Sequence, residues 1–107
     1  MNAHRGEVML VLGADKIILR PTFAALAAIE QQTNKSLIVL VRGLADGDFR
    51  LGELVSIIKA TAVSPTDLPP EIADAIVATG IMAVLETCLV LLVQALRGAP
   101  TLGGADA

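Results

Sequence analysis

A chain of 107 residues with a net charge of −3 holds one domain and leaves no room for a second. Hydrophobic residues make up 54% of it and charged residues 18%, more apolar surface than a small monomer readily hides, which points to self-association or a hydrophobic partner, with an Ala-rich monomeric core as the alternative. Its cations are scattered without a basic block, and two Phe stand with neither Trp nor Tyr, which argues against nucleic acid as a partner.

The chain order begins with a hairpin. Val8, Leu10 and Leu12 alternate with smaller or outward positions, Gly13-Ala14-Asp15 turns the chain, and Lys16 to Leu19 runs back. Pro21 holds Arg20 extended, and Thr22 is placed to cap a helix whose apolar face is Phe23, Leu26 and Ile29. Asn34 tolerates the left-handed geometry of a helix end. Ser36 is a second N-cap, opening a helix with Leu37, Leu40, Val41 and Leu44 on one face and Arg42 and Gly43 opposite. Asp46-Gly47-Asp48 closes it.

The next helix carries Leu51, Leu54, Val55 and Ile58, with Glu53 and Lys59 directed outward and Phe49 plugging the core at its entrance. Gly52 makes its start poorly defined, with Asp48 the one good cap nearby. Val63 to Pro70, with Pro65, Pro69 and Pro70, reads as a loop, and Pro69-Pro70-Glu71 as a helix entry. Ile72, Ile76 and Val77 form the face of that short helix, which Gly80 ends or kinks. The last helix runs from about Ile81 to Arg97, with Glu86, Thr87, Gln94 and Arg97 on one narrow polar stripe. So apolar a helix is usually central. It also holds Glu86 and Gln94, is shorter than the ~20 residues a bilayer needs, and lacks flanking Trp or Tyr. A membrane span is therefore not expected.

The fold class is mainly α: a short N-terminal antiparallel β-hairpin packed on a compact bundle of about five helices. Residues 1–97 form this single domain, and 98–107 read as a disordered tail whose Gly103-Gly104 lacks the lysine of a phosphate loop. The open hairpin needs cover from the first helix or a neighbouring subunit.

The residues of catalysis are sparse. His4 is the only histidine and sits near the terminus, so no His-based nucleophile or metal cluster can be assembled around it. Asp46 and Asp48 flank a glycine without the later ligands of a calcium loop. Glu86 reads as a paired or exposed acid. Cys88, the single cysteine, precludes an internal disulfide and reads as a small buried hydrophobe. It suits a reducing, cytoplasmic setting, and Met1 to Arg5 offers no apolar run for a signal peptide. The expectation is a protein without enzymatic activity, cofactor or metal.

His4-Arg5-Gly6-Glu7-Val8, Leu19-Arg20-Pro21-Thr22-Phe23 and Ala25-Leu26-Ala27-Ala28-Ile29-Glu30 resemble a family of small phage proteins. Leu37, Leu40, Leu44, Leu51-Gly52-Glu53-Leu54 and an apolar helix ending in Arg97-Gly98 continue the likeness more loosely. The family comprises tail assembly proteins of gene transfer agents and siphophages, described as tail assembly chaperones or tail tube proteins. Where Ala24 and Ala27 stand here the family often carries charge, and it favours Gly in place of Asn34. The resemblance implies a tail assembly chaperone that binds the tape-measure or tail-tube protein, with no nucleic acid or membrane partner. The alternative it implies is a structural tail component, a tube or terminator subunit. Tube subunits of this kind are normally rich in β structure, which one hairpin does not supply. A client or a second copy is expected on the last helix, at Val84, Leu85, Leu91 and Leu92, through helix-in-groove packing, with a place in the chain's own core as the alternative for each.

Overall fold

A computed structural model describes residues 6–98. Strand β1 (Val8–Leu12) and strand β2 (Asp15–Leu19) form the antiparallel hairpin in the register Val8↔Leu19, Leu10↔Ile17 and Leu12↔Asp15. The turn is the two residues Gly13 and Ala14, of which only Gly13 has positive φ (+62°). Glycine at the first central position is the pattern of a type II′ turn, whose twist matches that of the strands. Alternation sends Leu10, Leu12, Ile17 and Leu19 into the core and leaves Met9 and Val11 outside.

Helix α1 (Phe23–Thr33) begins where expected, with the Ala25 N–H donating to Thr22 Oγ1 at 3.1 Å. It ends at Asn34, left-handed at φ 57°, whose N–H bonds the Glu30 carbonyl. Helix α2 (Leu37–Asp46) is capped by Ser36 Oγ, which accepts from Val39 N at 3.2 Å, and by Glu30, whose Oε2 accepts from Leu37 N at 3.0 Å. Gly47 closes it in left-handed geometry. The Asp48 N–H returns to the Gly43 carbonyl at 2.8 Å, so the chain passes close over Gly43.

Helix α3 (Leu51–Thr61) departs from expectation at both faces. Glu53 is buried rather than outward: its Oε1 accepts from Arg50 N at 3.2 Å and its Oε2 meets Lys35 Nζ at 2.6 Å. Asp48, the candidate cap, does not cap this helix: Arg50 stands at the N-cap and the start is capped by Glu53 from its own first turn, and the partnered carboxylate can be buried because both oxygens are satisfied. Leu51 lies at the rim and is exposed, whereas Ile57 joins Leu54 and Ile58 in the core. Phe49 packs against that core, half-buried.

After α3 the backbone runs along the second edge of β2. Leu19 bridges Ala62, Arg20 N donates to Thr61 O at 2.7 Å, and Val63 N donates to Ile18 O at 2.9 Å. A 3₁₀ turn at Pro65–Asp67 leads to helix α4 (Ile72–Thr79). Ile72 and Ile76, one turn apart, are buried, but Val77 is exposed: the short α4 meets the core only along the Ile72–Ile76 line. Gly80 (φ +118°) then turns the chain by 107° into helix α5 (Ile81–Arg97).

Helix α5 is the centre of the packing and touches α2, α3, α4 and β1. Its buried side chains, Val84, Leu85, Cys88, Leu91 and Leu92, recur at i, i+1, i+4, i+7 and i+8, one continuous stripe. Each fully buried Leu there contributes about 1.5–3 kcal/mol of transfer free energy. No helix among the described residues is long and apolar enough to cross a membrane; α4 and α5 pass such a test only as a sharply bent pair.

Candidate interaction surfaces

Among the described residues, no group of three or more His, Cys, Asp and Glu is placed to hold a metal ion. His4 lies outside the described residues, as does most of the tail expected at 98–107. Asp46 and Asp48 flank the helix-closing Gly47, and Glu86 stands exposed on α5. Cys88 is fully buried, and burial pushes its thiol up to about 12, so the nucleophilic thiolate is suppressed. Two open surface depressions are lined largely by polar residues: one at the α1–α2 corner by Glu30, Asn34, Lys35 and Ser36, another beside Arg50 and Glu53. Glu30, Ser36 and Glu53 there spend side-chain oxygens on helix caps, and Lys35 is engaged by Glu53.

Val84, Leu85, Leu91 and Leu92, expected to meet a partner, all lie in the chain's own core. They form the inward stripe of α5 and pack there with Leu10, Leu40, Leu54 and Ile76. The apolar side chains that α5 does present are Met82, Val90 and Leu96, the first of them 63% exposed. Core placement, the alternative for these four, is what the structure shows, since the fold consumes the most continuous apolar stripe first.

Phe23 is the most exposed large apolar residue described, at 87%. It was expected to share a face with Leu26 and Ile29. Steps of three residues fall ~60° short of a full turn, so Phe23 and Ile29 stand ~120° apart around the helix axis. Helix α1 instead buries Ala25 and Ile29, with Leu26 half-buried. The Thr22 cap starts the helix with Phe23 directed to solvent, beside exposed Ala24 and Ala27. Aromatic side chains are enriched in the buried centres of interfaces, and an exposed Phe beside small side chains is suited to enter a partner's pocket.

A second apolar area covers the outer face of the hairpin. Pairing brings Met9 opposite Ile18, and Ile18 opposite Val63, in one row across three strand segments, with Val11 beside Met9. Met9 and Val11 are 42% and 47% exposed. At the base of the hairpin Arg20 pairs with Glu7, whose carboxylate is mostly covered, tying the strand entrance to its exit. Helix α2 also exposes Ile38 and Val39.

Residues 5–98 match the model of a family described as phage tail tube protein, GTA-gp10. Neither a curated protein nor a solved structure shows significant similarity to the chain.

Proposed function

The chain belongs to the phage tail tube protein family GTA-gp10, and on that premise we propose that it is a structural component of the tail of a phage-like particle, acting through protein–protein contacts. The family match, running through almost the whole folded chain, is the observation that carries this reading. The surface agrees with it in kind. Phe23 on α1 and the outer hairpin face are apolar areas suited to neighbouring tail proteins, including further copies of the chain. In this reading the protein performs no catalysis, needs no cofactor, and meets its partners in the cytoplasm where tails are built.

One observation favours a second reading, an assembly chaperone for the tape-measure or tube protein. A tube wall made of continuous sheet needs strands at both edges of every subunit. The described residues hold one two-stranded sheet and five helices. A helical body with apolar surface areas also suits the transient covering of a client's amphipathic helices.

Quantitative mass spectrometry of purified particles separates the two. Copies in fixed, high stoichiometry with other tail proteins are the expected result. Its absence from particles, together with co-purification with the tape-measure protein from cells, would favour the chaperone.

A further inference from the structure

We propose that β1 is the seam of a symmetric dimer, its open edge pairing antiparallel with β1 of a second copy about Leu10. The proposal specifies the self-association named above, and it holds whether the protein stays in the particle or only assists its assembly.

The register of the hairpin carries it. A two-residue loop makes Leu12–Asp15 a hydrogen-bonded pair, and such pairs alternate along an antiparallel ladder. Leu10–Ile17 and Val8–Leu19 are therefore bonded pairs, while Met9 and Val11 direct their N–H and C=O groups away from β2. The other strand agrees: Ile18, opposite Met9, uses its outward carbonyl to accept from Val63. The far edge of β2 is thus covered. Among the described residues, no backbone group bonds the matching edge of β1.

That edge is self-complementary. A two-fold axis through Leu10 sets Met9 opposite Val11 of the second copy, and Val11 opposite its Met9. These are the residues whose backbone groups point outward, so each pair exchanges both hydrogen bonds. At the axis Leu10 faces its counterpart through the backbone alone, because its side chain is buried in its own subunit's core. Met9 and Val11 of both copies meet on the outer face and double the apolar row that runs through Ile18 and Val63. Charge is compatible with the seam. Val8–Leu12 carries no ionisable residue, and Glu7 at its entrance is already engaged by Arg20. Helices α4 and α5 pack against β1, whose own sequence contains no Lys, no Pro and no bulge to discourage pairing along its outward backbone groups. A seam of this length buries less than the ~1,200 Å² of a standard interface, so the dimer dissociates on dilution.

The full chain is tested by light scattering over a concentration series, with Met9→Lys/Val11→Lys and Met9→Lys/Val11→Glu beside it. The first double variant sets like charge near like charge across the seam and is expected to be monomeric, with an unchanged circular dichroism spectrum. The second sets each introduced ammonium opposite an introduced carboxylate and is expected to recover the dimer. Amide exchange on the unaltered chain provides a readout that needs no variant: Met9 and Val11 should gain protection as concentration rises. A wild-type monomer at every concentration, a dimer that survives Met9→Lys/Val11→Lys, identical behaviour of the two variants, or concentration-independent exchange at Met9 and Val11 would each overturn the seam.

Discussion

Lys35 Nζ lies 2.6 Å from Glu53 Oε2, an ion pair that ties the connection between α1 and α2 to the first turn of α3. The other carboxylate oxygen accepts from Arg50 N, so one buried side chain both caps a helix and fixes its position against its neighbour. Lys35 is about one-third exposed, which screens its share, and the larger contribution is the backbone cap.

Glu53→Ala is expected to cost about 1–3 kcal/mol, through the lost cap and a poorly filled site. Glu53→Gln keeps an acceptor for Arg50 N and loses only the charge, so it should cost less. Urea unfolding of both variants checks the order; equal losses would show that the ion pair, not the cap, dominates.

Gly43→Ala and Gly52→Ala should move stability in opposite directions. A Cβ at Gly43 would stand 2.6 Å from the Asp48 carbonyl oxygen, backbone that cannot yield without opening the α2 closure. Overpacking of this kind costs about 1–3 kcal/mol. A Cβ at Gly52 meets open space inside a helix, where alanine gains about 0.5–1 kcal/mol. Thermal melts of the two variants test both signs.

Cys88 gives the protein an alkaline weakness. Its folded pKa, about 12, lies above its ordinary value of 9.0 because burial disfavours the thiolate. Between those values the unfolded chain has released the proton and the folded chain retains it. Stability is therefore fully present below pH 9 and falls as pH rises towards 12. Unfolding measured from pH 8 to 11 should show this decline, reduced in Cys88→Ala. At neutral pH the thiol should resist alkylation until denaturant is added.

Phe23→Ser and Leu91→Ala separate surface from core. The first removes an exposed ring and should change stability by less than about 0.5 kcal/mol. It should nonetheless weaken capture of the chain by its tail partners at least about tenfold, if Phe23 is an interface anchor. Leu91→Ala empties a fully buried site and should cost about 2–5 kcal/mol. Pull-down and denaturation of the same two variants give the comparison, and full retention of partner binding by Phe23→Ser would remove that residue from the interface.

Local chemistry was legible in the chain itself. The hairpin turn at Gly13, the Thr22 and Ser36 caps, the left-handed end at Asn34 and the break at Gly80 each depend on a few neighbouring residues, whose steric and hydrogen-bonding preferences act without the rest of the fold. The five helices and the central place of α5 followed from apolar spacing for the same reason. Which side of each helix is covered was a different matter. Periodicity placed Phe23 inward and Glu53 outward, and both are reversed, because burial depends on what lies across the gap. Ala25 allows α1 to approach closely and turns Phe23 out, while Lys35, distant in sequence, neutralises Glu53 and lets it in. The candidate surface was displaced in the same way. Apolar periodicity marks Val84, Leu85, Leu91 and Leu92 equally for a core or a partner, and only packing decides which apolar atoms are already taken, so the exposed remainder at Phe23, Met9 and Val11 is set by the arrangement of strands and helices in space.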